Sequence, residues 1–281
     1  MLNKLALVLA GLAMSACAVH HAPLVLGGGL EVESTLVLNN HTLRIHLADT
    51  RARPLAEQRP LLIYATGDRG WAGKDYDVYR HLVAWNFPVA GFDAHDYVKH
   101  LGAAETTTPD RLAGDFEQIV NAARLHLHLD ASYPVVLVGV SRGADLAVVA
   151  AGQRWLQPGL TGVVAVALTR EEEYVKWLPR RVRSELHGSA AAAAPTEPTE
   201  PVMVDLYSYL PRLGPLAVTV IQSTHDKYLP AAKAQVLFGQ NTEHRHFVAI
   251  EAGNHSFGGA REALYDAMHE ALTRMSTAMR P

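Results

Sequence analysis

The run VVLVGVSRGADLAVVAAG, residues 135–152, constrains the fold of this chain more than any other stretch. An apolar run leads into a serine held between two glycines, and small residues at helical spacing follow. Such a pattern needs a buried strand, a sharp turn and a helix lying directly on the strand. Gly139 and Gly143 permit that close approach. Ser141 falls at the turn, its hydroxyl at a helix N-terminus where N–H groups and the dipole favour developing negative charge. G-x-S-x-G in this strand-to-helix context predicts a nucleophile; a purely structural turn residue is the alternative.

The rest of the chain fits a sheet around that strand. Residues 30–48, LEVESTLVLNNHTLRIHLA, alternate apolar and polar around Asn-Asn-His and predict a β-hairpin ahead of the main domain. From residue 60 short apolar strands, expected at 60–65, 88–92, 134–139, 163–168, 216–222 and 246–250, alternate with helical patterns. Those helices are expected near 74–86, 109–129, 142–156, 230–238 and 259–278, with Pro230 and Gly239 punctuating the fourth. The order predicts an α/β fold, a mostly parallel central sheet with helices on both faces. The domain is expected over 60–281, after a leader at 1–17 and a segment at 18–59 that holds the hairpin. Residues 179–201, PRRVRSELHGSAAAAAPTEPTEP, are poor in apolar bulk and predict a flexible insertion, either a mobile cap or a solvated linker.

A serine hydroxyl needs a base, and the base an orienting acid. Asp226 follows the strand ending LAVTVIQS and His255 follows the strand ending HFVAIE, so Ser, Asp and His come in the order of an α/β-hydrolase, each after its own strand. All three loops open at the sheet edge where ligands collect. Glu171, Glu172 and Glu173, or Asp93, are alternative acids. The backbone N–H of Arg142 is expected to form half of an oxyanion hole. The loop YATGDRGWAG, folded tightly through Gly67 and Gly70, supplies the other half through Asp68. Trp71 is expected to pack beneath that loop, and Asp145 to favour the helix dipole.

Composition points to no other class. The net charge of −3, without a long basic block, gives no reason to expect nucleic acid as a partner. Fifteen histidines include no HExxH pair. The HxH pairs His126/His128 and His244/His246 have no further ligands beside them, so neither a metal nor an organic cofactor is expected. The opening MLNKLALVLAGLAMSACAVHHA reads as a secretory signal, too short to span a bilayer comfortably. Cys17 follows MSA as in a bacterial lipobox, where the cysteine becomes the lipidated first residue; ordinary cleavage near Ala16–Ala18 is the competing reading. As the sole cysteine, it excludes a disulfide within the chain.

TGDRGW before a helix, PVAGFD, VGVSRGAD and GNHSF, in that order, resemble the VirJ/AcvB group of bacterial α/β-hydrolases over about residues 60–265. Members carry a GDGGW-like loop, a G-x-S-x-GAD elbow and a late histidine after a glycine-containing turn. Arg69 stands where the loop usually has glycine, and Asn254 where a second histidine is frequent. The resemblance implies an exported, periplasmic enzyme that hydrolyses the ester of aminoacyl-phosphatidylglycerols. It also implies an accessory or binding role in type IV secretion. One of Glu171, Glu172 and Glu173 is expected to meet the cationic amine, with Gly67 also contacting substrate; a solvated, glutamate-rich first helical turn is the alternative. A lipid on Cys17 would hold such an enzyme beside a lipid substrate. A general esterase, an acyltransferase and a binding module with a vestigial triad stay open.

Overall fold

In the computed structural model of the chain the described residues are 25–26, 29–38, 41–49, 59–101, 108–173 and 203–277. The expected leader with Cys17 and the expected insertion at 179–201 lie outside them. Strands run β1 (Val25–Leu26), β2 (Gly29–Leu38), β3 (His41–Asp49), β4 (Leu61–Ala65), β5 (Val89–Phe92), β6 (Val135–Val140), β7 (Gly162–Val166), β8 (Glu171–Glu173), β9 (Met203–Asp205), β10 (Ala217–Ser223) and β11 (Arg245–Ile250). Helices are α1 (Lys74–Ala84), α2 (Ala94–Leu101), α3 (Pro109–His126), α4 (Arg142–Ala151), α5 (Ala231–Phe238) and α6 (Arg261–Thr277).

Nine of the strands form one sheet in the order β1-β2-β3-β5-β4-β6-β7-β10-β11. From β5 to β11 all pairings are parallel. The predicted hairpin is β2–β3, and it extends this same sheet, because β3 pairs antiparallel with β5 through Ile45–Ala48. Alternation of side chains explains the continuous apolar runs. Leu61, Ile63 and Ala65 enter one core with Leu137 and Ala165, under α2 to α5. Leu62 and Tyr64 enter the other with Val138 and Val166, under α1 and α6. A strand buried on both faces has no polar side to show.

The chain departs from β4 to β5 on one side and then returns to place β6 on the other. That reversal opens a crevice beyond the C-terminal ends of β4 and β6, where open α/β sheets bind ligands. Gly139 and Gly143 let α4 settle into place: a Cβ on Gly143 would come 2.1 Å from the Ala65 carbonyl oxygen. Three local expectations change. The segment after Asp93 forms α2, because Asp93 Oδ1 accepts the Asp96 N–H at 2.9 Å and starts a helix. The helix expected over 142–156 stops at Ala151 and gives way to a short 3-10 turn at Gln157–Gly159. Glu171–Glu173 form a strand paired antiparallel with Met203–Asp205, not a helical turn. Among the described residues no helix is long and apolar enough to cross a membrane.

Candidate active site

Ser141 sits between β6 and α4 with φ 52° and ψ −119°, a conformation costly for any residue with a Cβ. The surrounding structure imposes it. The Ser141 N–H donates to the Val166 carbonyl at 2.7 Å, and the Ser141 carbonyl accepts from Ala144 and Asp145 at 2.8 and 3.0 Å. These bonds fix the turn and hold the hydroxyl above the sheet edge.

His255 Nε2 lies 2.8 Å from Ser141 Oγ, and its Nδ1 lies 2.6 Å from Asp226 Oδ2. Asp226 is 1% exposed, and hydrogen-bond donors meet both of its carboxylate oxygens. Gln222 Nε2 donates to Oδ2 at 3.1 Å, while the Tyr228 and Leu229 N–H groups donate to Oδ1 at 2.8 and 3.4 Å. The Tyr228 ring meets the His255 imidazole edge-on at 4.8 Å. This is the geometry of a serine-hydrolase triad, and it joins the three residues that the chain order singled out.

The oxyanion-hole segments lie beside it. A Cβ built on Gly67 would stand 3.6 Å from the Ser141 Cβ. The Gly67 N–H is taken by Asp75 Oδ1 at 2.8 Å, which leaves the neighbouring Asp68 N–H as the loop's candidate donor. Arg142 opens α4, ahead of the first N–H groups bonded back to Ser141. Sequence reasoning gave Arg142 and Asp68 backbone roles only, yet their side chains form an ion pair that laces the elbow to the loop. Trp71 packs beneath the loop as expected, its ring 4.6 Å from His46 and 5.3 Å from Tyr79.

The alternative acids are elsewhere. Asp93 starts α2 and accepts the Trp71 N–H at 3.4 Å. The exposed Glu171 carboxylate lies 3.7 Å from Arg170 Nε. The side chains of Glu172 and Glu173 lie outside the described residues. Asp145 does more than favour a dipole. It is buried and accepts the Thr169 N–H at 3.1 Å and the Thr169 hydroxyl at 2.9 Å, tying α4 to the segment after β7. Gln222, Asp75 and Thr169 belong to no motif, so nothing in the amino-acid order marks them.

A cavity of about 1020 Å³ opens on Ser141 and His255. Gly67, Asp68 and Arg142 line it on one side, Glu171 on another, and Lys227 and Tyr228 on a third. Away from it, His41, Asp96 and His100 bring three potential ligand atoms within 4.8 Å of one another. There the two imidazoles stack at 3.3 Å, His41 Nε2 lies 3.2 Å from Asp96 Oδ2, and His100 Nδ1 lies 2.7 Å from the Asp96 carbonyl oxygen. Of the HxH pairs, His126 bonds Ser34 and His246 Nε2 lies 3.2 Å from the Glu243 carbonyl oxygen.

The family model of the bacterial virulence protein VirJ matches residues 60–168. The matched stretch holds the loop after β4, the Ser141 elbow and Asp145, and stops short of Asp226 and His255. No curated protein matches the chain significantly. Among solved structures, Est1E from Butyrivibrio proteoclasticus is 13% identical with a TM-score of 0.60, covering 86% of this chain and 98% of its own. The Pyrococcus furiosus esterase Pf2001 is 14% identical with a TM-score of 0.57, covering 88% and 93%. Dipeptidyl peptidase 4 of Porphyromonas gingivalis is 13% identical with a TM-score of 0.56, covering 87% of this chain and 35% of its own. The fold is therefore that of the α/β-hydrolases, a fold that also serves a peptidase.

Proposed function

We propose that this protein is a serine hydrolase of carboxylic esters. The observation that carries the reading is the relay from Asp226 Oδ2 through both ring nitrogens of His255 to the Ser141 oxygen, opening on one cavity. Ser141 Oγ attacks the carbonyl carbon while His255 Nε2 takes the hydroxyl proton. The same nitrogen then gives that proton to the leaving alcohol, and Asp226 stabilises the imidazolium in between. The N–H groups of Arg142 and Asp68 receive the oxyanion. Water, activated by the neutral imidazole, releases the acid from the acyl-serine.

The substrate we favour is the aminoacyl ester of an aminoacyl-phosphatidylglycerol. The VirJ match supports it, as does Glu171 at the cavity wall as a partner for the amine. The leader and Cys17 support export to the periplasm and a lipid tether. The test has two stages. A fluorophosphonate probe should label the wild type and fail on Ser141→Ala. No labelling of the wild type would replace the enzyme by a binding module, such as an accessory protein of type IV secretion. Mixed bacterial lipids incubated with both proteins should then lose aminoacyl-phosphatidylglycerol only with the wild type. Loss of a different ester instead would overturn the substrate and keep the esterase.

A further inference from the structure

The carboxylates that face the cavity each meet a partner, Glu171 the most loosely, being exposed and 3.7 Å from Arg170, so that it alone can turn to a substrate amine. Asp68 pairs with Arg142 and Glu171 with Arg170. Asp75 is held by Gly67 and Tyr64, and Asp145 by Thr169. Three cations remain. The side chains of Arg69, Lys74 and Lys227 line the same cavity and form no ion pair or hydrogen bond with a described residue.

Their positions surround the reacting centre. Arg69 follows Asp68 in the oxyanion loop, and Lys74 begins the helix to which that loop leads. Lys227 extends from the loop that carries the triad acid. Its ammonium lies 4.6 Å over the Tyr228 ring, which itself abuts His255. Lys74 is half-buried, whereas the other two are exposed. Burial pulls its ammonium below the usual lysine range, and the charges of Asp75 and Asp226 do not make up for the lost water. A cation held this way gains most from a ligand that brings the missing counter-charge.

We propose that the cavity selects esters bearing an anionic group, a phosphate or a carboxylate, with Lys74 as its inner contact and Lys227 and Arg69 at the mouth. This rests on the hydrolase reading and specifies what that site prefers. A cationic group placed on this side would meet three like charges, so discrimination works by repulsion as well as attraction.

The test holds the acyl group constant and changes the alcohol. Butyryl esters of ethanol, choline, glycolate and 2-hydroxyethyl phosphate are compared by kcat/KM. The wild type should favour the phosphate or glycolate ester over the ethyl ester by about tenfold or more, disfavour the choline ester, and lose the preference as salt rises. The larger of the two anionic preferences identifies the group. Lys74→Met should cut the anionic-to-ethyl ratio about tenfold, and Lys227→Met or Arg69→Met should cut it about threefold, which covers a Lys74 variant that does not fold. Hydrolysis of all four esters with equal kcat/KM would overturn the anion preference and leave the hydrolase intact. So would a ratio unmoved by these variants, or a Lys74→Met that slows every ester alike. A wild type that takes no fluorophosphonate label and cleaves none of the four, yet binds 2-hydroxyethyl phosphate in a titration that Lys74→Met abolishes, would end the hydrolase reading and uphold the anion site.

Discussion

Asp75 Oδ1 accepts the Gly67 N–H at 2.8 Å, so the first helix after β4 holds the loop that faces Ser141. The Tyr64 hydroxyl donates to the same oxygen at 3.2 Å. Burial raises the Asp75 carboxyl above its ordinary 3.8, against the opposing pull of the Gly67 N–H, Lys74 and Tyr64. A carboxyl with a raised native pKa binds its proton more tightly when folded. Its favourable share of stability is therefore full below the unfolded value and is lost as pH rises through the native one. Asp75→Asn keeps an acceptor oxygen and carries no charge. Measured by urea denaturation from about pH 4 to about pH 8, its stability relative to the wild type should improve as pH rises. A difference that stays flat or runs the other way would refute the raised carboxyl.

The Ser141 backbone makes a second, independent claim. Glycine adopts φ 52°, ψ −119° readily, and alanine does not. Ser141→Gly and Ser141→Ala should both lose about 10⁶-fold in kcat. Ser141→Gly should nevertheless be the more stable of the two by about 1–2 kcal/mol in thermal unfolding. Equal stability would mean that the elbow holds no strain.

Gly143 faces a different constraint, which is space. An added Cβ would lie 2.1 Å from the Ala65 carbonyl oxygen and 2.5 Å from that of Thr66, both backbone atoms. Gly143→Ala should cost about 3 kcal/mol and should lower turnover too, since the displaced chain carries the oxyanion loop. Denaturant midpoints and kcat measured on the same preparation check both halves. A variant of unchanged stability would contradict the packing of α4 on β4.

Asp145 tests whether the floor of the cavity is held from α4. Its two oxygens hold the Thr169 N–H and hydroxyl, and it is 1% exposed. Asp145→Ala leaves the Thr169 N–H without its acceptor and the hydroxyl with only the Glu171 carbonyl, 3.2 Å away, and should cost about 1–3 kcal/mol, whereas Thr169→Val removes the hydroxyl and should cost less. Denaturation of both variants decides the order, and the reverse order would show that the hydroxyl contact dominates.

What the sequence revealed follows from how each signal is encoded. The central parallel strands are buried on both faces, so their apolar runs stand out, and the turn around Ser141 is marked by glycines that no other residue can replace. Asp226 and His255 were legible because each comes a few residues after an apolar strand, β10 or the edge strand β11. Glu171–Glu173 were misread because their partner strand, Met203–Asp205, lies some thirty residues on, and three glutamates say nothing of pairing across that gap. Asp93 begins a helix, yet in the sequence it is equally an acid candidate, since Asp after a strand reads the same in either role. Asp145 failed for a related reason: a first-turn carboxylate suggests a dipole, and only the fold brings Thr169 to it.

The sharpest prediction concerns Asp226. Through Oδ1 it accepts two backbone N–H groups, and through Oδ2 it accepts Gln222 and His255 Nδ1. An asparagine preserves the Oδ1 contacts, so Asp226→Asn should fold with the loop intact. Its amide then turns N–H donors toward both Gln222 and the imidazole, which keeps the His255 proton on Nε2. That nitrogen faces Ser141 Oγ 2.8 Å away and can no longer accept its proton. Turnover should fall about 10⁴-fold, and fluorophosphonate labelling should slow in step, while thermal stability changes far less. A loss below about tenfold would show that some other group orients the imidazole, and the triad assignment would not survive it.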